Sequence, residues 1–193
     1  MLEASLLAFL REHAGQHKYV IAGGYVRDRI IGRTPRDIDV FVLNAGWDEQ
    51  AAMHHRLTEA GIPTVKHAKT YRAIAGRPTF GEVIELRFLE WPVQLITTTA
   101  TGPLAVIDTF DYDICQFYYT DEGLIADHPD GAGYDAIKHR RLGLRHLLTP
   151  LSSLRRGFLF EHRLGYRFPK ADIAQLVVTL QRQHENSAGG WDE

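Results

Sequence analysis

Asp37-Ile38-Asp39 is the feature of this 193-residue chain whose residue types and spacing speak most directly of chemistry. On an extended strand successive side chains alternate faces, so Asp37 and Asp39 project together while Ile38 and Val40 enter the core. Two carboxylates held side by side repel, and a divalent cation relieves that repulsion. Hard oxygen ligands suit Mg²⁺ (or Mn²⁺), which also takes substrate phosphates and water. Cations so held activate an attacking hydroxyl and steady the leaving phosphate oxygens. Taken alone, Asp-x-Asp also serves as a turn cap or a surface pair.

The residues just upstream bear on that choice. Tyr19-Val20-Ile21-Ala22 is a short apolar strand, broken by Gly23-Gly24, and a helix starts near Tyr25. Glycine lets the backbone approach a phosphate closely, and a helix N-terminus favours anions. Arg27 and Arg36 are positioned to add charge-assisted bonds. A Gly-Gly turn by itself is only a tight connection. Here a phosphate cradle and paired carboxylates fall within 17 residues, on successive elements.

The rest of the chain supplies the scaffold. Hydrophobic spacing predicts helices over 2–13, 25–31, 49–60 and 103–109, and strands over 19–22, 37–43, 70–75, 83–88, 92–97 and 114–119. Helical patterns return over 134–145 and 151–164. The order is α+β, a mixed sheet flanked by helices and followed by further helices. With 45% hydrophobic and 24% charged residues, the composition excludes disordered and collagen-like classes. One cysteine, Cys115, excludes an internal disulfide and reads as a small buried residue. No apolar run approaches the roughly 20 residues of a membrane span. The expected location is the cytoplasm of a bacterial or phage-infected host cell.

Charge is uneven. Residues 138–170 hold nine Lys or Arg against one acid, Glu161. Such a face attracts polyanions, and a solvated helix face is the plainer alternative. Phe158, Phe160, Tyr166 and Phe168 within it could stack on bases, but their spacing favours packing into a core. Asp28 is expected to pair with Arg33 or Arg36, fixing the loop between the glycines and the carboxylates.

The run Val20-Ile-Ala-Gly-Gly-Tyr-Val-Arg-Asp28, followed by Gly32-Arg33 and Asp37-Ile-Asp39, resembles the signature of DNA polymerase β-type nucleotidyltransferases. It is most similar to the head domain of CCA-adding tRNA nucleotidyltransferases and bacterial poly(A) polymerases. Phe110-Asp111-Tyr112-Asp113-Ile114-Cys115, running on to Asp130-Gly131, resembles the family's second block. Thr149-Pro150 through Arg155 to Leu164-Gly165-Tyr166 resembles the first neck helix. The resemblance covers roughly residues 18–168. It implies a nucleotidyltransferase head at 1–133, a short helical neck-like segment at 134–185 and a flexible tail at 186–193.

What the resemblance implies is transfer of NMP from an NTP to a hydroxyl acceptor, with release of pyrophosphate. Asp37 and Asp39 would ligate metal, helped by Asp113. Gly23, Gly24, Arg27, Arg36, Asp111 and Arg155 would contact the nucleotide. The acceptor would be a tRNA-like RNA 3′ end held by 138–170, with a second copy or a partner subunit as a possible aid.

Departures from the pattern keep other classes open. Gln94 stands where the family carries a third metal-proximal acid. Asp113, a threonine in the family block, is the candidate to compensate, and the alternative is a solvated side chain. The block's Arg-Arg pair reads Asp108-Thr109 and its Asn reads Cys115. The neck opening, Thr149-Pro150-Leu151-Ser152, keeps only Arg155 of its base-reading residues. A nucleotide-sensing or RNA-binding module of weakened activity therefore remains open. So does a toxin-like or phage enzyme that modifies a protein or a host tRNA.

Overall fold

The computed structural model describes residues 2–67, 77–120, 122–146 and 149–188. In chain order the elements are α1 (Leu2–His13), β1 (Tyr19–Ile21), α2 (Gly24–Ile30), β2 (Ile38–Val42), α3 (Trp47–Glu59), β3 (Thr64–His67), β4 (Phe80–Phe88), β5 (Trp91–Thr98), α4 (Pro103–Ile107), β6 (Phe117–Tyr119), β7 (Ile125–Asp127), α5 (Ala132–Lys138), α6 (Pro150–Leu164) and α7 (Lys170–Ala188). They form two compact units. The first is Met1–Thr109 with Cys115–His128, and the second is Phe110–Ile114 with Pro129–Glu193. No helix among the described residues is long and apolar enough to cross a membrane.

The first unit is built on a five-stranded mixed sheet in the order β1-β2-β5-β4-β3, with a two-stranded β6-β7 ladder. β2 and β5 run parallel, and the other pairs are antiparallel. α1 buries Leu6, Leu7 and Leu10, the stripe its spacing implies. One sheet face carries two apolar rows, Ile38–Val93–Leu86 and Val40–Leu95–Ile84, each residue paired with the next across the ladders. All six are buried. Each such side chain contributes roughly 1.5–3 kcal/mol on leaving water.

The second unit packs around Tyr112. Its hydroxyl donates to the Ser153 carbonyl at 2.6 Å, and its ring meets Phe160 and Phe168 edge-on. Tyr166 and Phe168 are buried, so most of the aromatics in the basic segment serve a core. Phe158 stays half exposed while contacting Phe168.

Several boundaries differ from the sequence reading. The strand expected from residue 114 starts only at Phe117, because Asp113–Cys115 forms a single 3₁₀ turn. Asp113 N–H there donates to the Gly143 carbonyl, and Tyr112 bridges Leu144. The helix expected over 134–145 closes at Lys138; Arg140 turns through φ 49, and Arg141 N–H caps the Ala136 carbonyl. Asp37 lies just before β2 rather than in it. α7 continues to Ala188, into the segment read as tail. β3, a polar edge strand, carries no clear alternation, and the strand read at 70–75 lies outside the described residues.

Gly157 shows how tightly the second unit is packed. A Cβ there would lie 2.2 Å from Phe168 Cε1 and 2.4 Å from the Tyr112 hydroxyl. Gly157→Ala should therefore lose stability although alanine is the better helix former. Overpacking costs roughly 1–3 kcal/mol against about 1 kcal/mol of propensity gained. Urea unfolding of the full chain checks the sign, which steric crowding sets as destabilising.

Candidate functional site

Asp37 immediately precedes β2 and Asp39 is its second residue. Ile38 and Val40 between and beyond them are 0% exposed, whereas both aspartates are half-buried. Alternation along β2 thus puts Asp39 on the face opposite the apolar rows, with Asp37 two residues before it at the strand's start. Ala22 N–H donates to the Asp39 carbonyl at 3.3 Å, which sets the end of β1 against the backbone of the second aspartate.

The chain then turns at Gly23, whose φ of 79° and ψ of −131° suit only glycine. Gly23 N–H donates to the Phe117 carbonyl at 2.9 Å. That amide is committed to β6 rather than facing outward. The helix-start donors that lack an intrahelical partner are those of Gly24, Tyr25 and Val26.

Arg27 is 8% exposed and lies alongside this turn, since a Cβ on Gly24 would sit 3.8 Å from its Nη2. Its Nε and Nη2 donate to Asp28 Oδ1 at 2.8 and 2.7 Å, and Nη1 lies 3.5 Å from Cys115 Sγ. Burial works against its charge, but Cys115 and Asp28 outweigh it and hold the guanidinium firmly protonated. Asp28 therefore pairs with its neighbour Arg27, correcting the expectation of Arg33 or Arg36. An adjacent i, i+1 pair closes here because both side chains turn inward from the first turns of α2. Arg36 is exposed, one residue before Asp37.

Across the sheet the aspartate continues into a polar row. Asp39 pairs with Gln94 on β5, and Gln94 pairs with Glu85 on β4. Gln94 Nε2 donates to Glu85 Oε1 at 3.5 Å, and Glu85 Oε2 lies 2.9 Å from His67 Nε2. Among the described residues no group of three His, Cys, Asp or Glu gathers as a metal cluster. Two carboxylates on one face still fit Mg²⁺, which is usually held by one or two carboxylates with waters and substrate phosphates completing the shell. Sequence reasoning missed Glu85 and His67. The signal was the alternation Ile84-Glu85-Leu86-Arg87, apolar and charged in turn, which becomes informative only once the β4–β5 register is known.

Asp111, Asp113 and Arg155 belong to the second unit. Asp111 pairs with Arg156 at 3.1 Å, and Asp113 pairs with Arg145, which also reaches Asp130. Burial pushes both carboxyls above the usual carboxylate range, and the arginines offset it only in part. Gly143 permits this packing, because a Cβ there would lie 1.8 Å from Asp113 Oδ2. Arg155 is exposed on α6.

Solved structures with this architecture include CCA-adding enzymes. A Thermotoga maritima CCA-adding enzyme complexed with tRNA-CCA aligns with a TM-score of 0.62 at 19% identity, over 91% of this chain and 42% of its own. A Bacillus stearothermophilus CCA-adding enzyme in complex with CTP gives 0.61 at 19% identity, over 92% and 42%. A tRNA nucleotidyltransferase complexed with a primer tRNA and an incoming ATP analog gives 0.62 at 15% identity, over 93% and 50%. The chain thus spans at most half the length of these three proteins, and at such identities they establish its polymerase β-like nucleotidyltransferase fold. No curated protein gives a significant match. A family model, however, matches residues 1–129, the stretch that carries the glycine turn, both aspartates and the polar row, and by that match the chain belongs to the Gabija anti-defense 2 family.

Proposed function

We propose that the chain is a divalent-cation-dependent nucleotidyltransferase. The observation that carries this reading is Asp37 and Asp39 two residues apart at the start of β2, with the residue before the Gly23–Gly24 turn bonded to the Asp39 backbone. It is supported by the fold common to enzymes solved with CTP, an ATP analog and tRNA. Asp37 and Asp39 hold the cation; Gly24 with the α2 start, and Arg36, receive the triphosphate. Arg27, fixed by Asp28, keeps a permanent positive charge at the turn. A bound cation lowers the cost of charge on the phosphate oxygens. The acceptor oxygen forms a bond to the α-phosphorus, the α–β bridging bond breaks, pyrophosphate leaves and the hydroxyl proton passes to solvent.

The acceptor is read from the second unit, where Lys138, Arg155, Arg163 and Lys170 are exposed. That surface suits an RNA backbone. We assign Asp111 and Arg155 to nucleotide or acceptor contacts, and Asp113 to holding the segment that carries Asp111. The family description names a counter to a defence called Gabija. It favours, as a second reading, a protein or RNA of the host defence as the acceptor.

Incubation with each α-labelled NTP, Mg²⁺ and total RNA or host lysate is expected to label one class of acceptor. Asp37→Ala and Asp39→Ala should each lower that labelling at least about 100-fold, the scale of a lost electrostatic contact in a transition state. Chelation by EDTA should abolish it. Nucleotide binding without transfer to any acceptor would replace the enzyme with a sensing module.

The basic surface makes a separate expectation. Arg155→Ala with Lys170→Ala should weaken single-stranded RNA binding and flatten its salt dependence by about 0.7 in log–log slope per lost phosphate contact. An unchanged slope would remove 138–170 from the acceptor site.

A further inference from the structure

Gln94 occupies the one place in the polar row where a neutral residue separates two acids. Its neighbours are Asp39 on β2 and Glu85 on β4, and cross-strand partners face the same side. A carboxylate only accepts hydrogen bonds, so the group of Gln94 turned to Glu85 Oε1 at 3.5 Å is its NH₂. An amide whose nitrogen is engaged towards β4 presents its oxygen on the opposite side, that of β2 and Asp39. The other oxygen of Glu85 lies 2.9 Å from His67 Nε2 on β3, and both side chains are partly exposed. His67, Glu85 and Gln94 thus stand in one row across three strands that leads to Asp39.

We propose that Gln94 is a neutral oxygen ligand of the cation held by Asp37 and Asp39, and that Glu85, braced by His67, is the positioning residue that orients its amide. The inference rests on the nucleotidyltransferase reading above and names the missing part of its cation site. The negative charge absent from β5 sits one strand away, on Glu85, and acts through the amide rather than on the ion. Groups that orient a metal ligand commonly change metal affinity 10–100-fold when replaced.

The test is Mn²⁺ binding to the full chain, followed by electron paramagnetic resonance and calorimetry without nucleotide. Glu85→Leu removes the acceptor of the Gln94 NH₂ and should weaken Mn²⁺ binding about tenfold. Gln94→Leu removes the oxygen and should weaken it at least as much. The exchanged pair Glu85→Gln with Gln94→Glu keeps a hydrogen bond between the two positions, moves the carboxylate next to Asp39, and should bind Mn²⁺ at least as tightly as the native chain. Asp39→Asn is the reference for the site as a whole. If Asp39→Asn abolishes binding while Glu85→Leu and Gln94→Leu leave it unchanged, the inference about Gln94 falls and the cation site stands. If Asp39→Asn changes nothing, the nucleotidyltransferase reading falls with it. Weakening in Glu85→Leu that the exchanged pair does not restore would reduce Glu85 to a structural partner of its strand.

Discussion

The parallel pairing of β2 with β5 is the constraint on which the rest of the site depends. β5 lies at the centre of the sheet, and its register sets Ile38 against Val93, Asp39 against Gln94 and Val40 against Leu95. A slip of one residue would turn every side chain to the other face. Such a slip of β2 would turn Ile38 and Val40 out of the core and Asp39 into it, at a cost of roughly 1.5–3 kcal/mol for each large apolar side chain moved. The core therefore fixes the aspartates, which do not have to attract anything to stay together.

Charge is handled differently in the two units. On the sheet the acids stand on a face with the neutral Gln94 between Asp39 and Glu85. In the second unit each buried carboxylate has its own arginine, Asp111 with Arg156 and Asp113 with Arg145. Removing one partner of such a pair strands the other in a poorly solvated place, so these pairs hold Phe110–Ile114 in position more than they add net stability. The requirement for glycine at 143 fits that reading, because only a residue without Cβ lets the backbone approach Asp113 so closely. The negative charge of Asp113 is already countered, and the acid that register brings beside Gln94 is Glu85.

Much of the sheet could be read directly from the chain, because its signals are local. Alternation put Ile38 and Val40 in the core and Asp39 on the other face, and the apolar stripe of α1 gave that helix its observed limits. Gly23 announced the turn by its type alone, although its amide proved to be bound by β6. The errors arose where distant partners decide conformation. Asp113–Cys115 coils into a turn because Gly143 and Leu144 take the hydrogen bonds a strand would have used. Asp28 found Arg27 because both fold inward, which sequence spacing does not express. Glu85 and His67 were illegible for the same reason, since a polar residue on an ordinary strand acquires meaning only from what the register sets beside it.

A cation site with two carboxylates and an amide has a consequence for how it is filled. Each carboxylate replaced by a neutral oxygen lowers the Coulombic attraction for a divalent ion while leaving the number of donor atoms unchanged. The charge so removed from the protein is the kind that a triphosphate carries. In the proposed reading the ion and the nucleotide then favour each other's binding, because the phosphate oxygens supply the negative charge that Gln94 withholds. By linkage the preference is mutual: the nucleotide is held better with the ion in place, and the ion better with the nucleotide. Glu85, one strand away, keeps the amide oriented for that shared site without adding a third full charge against the incoming phosphates.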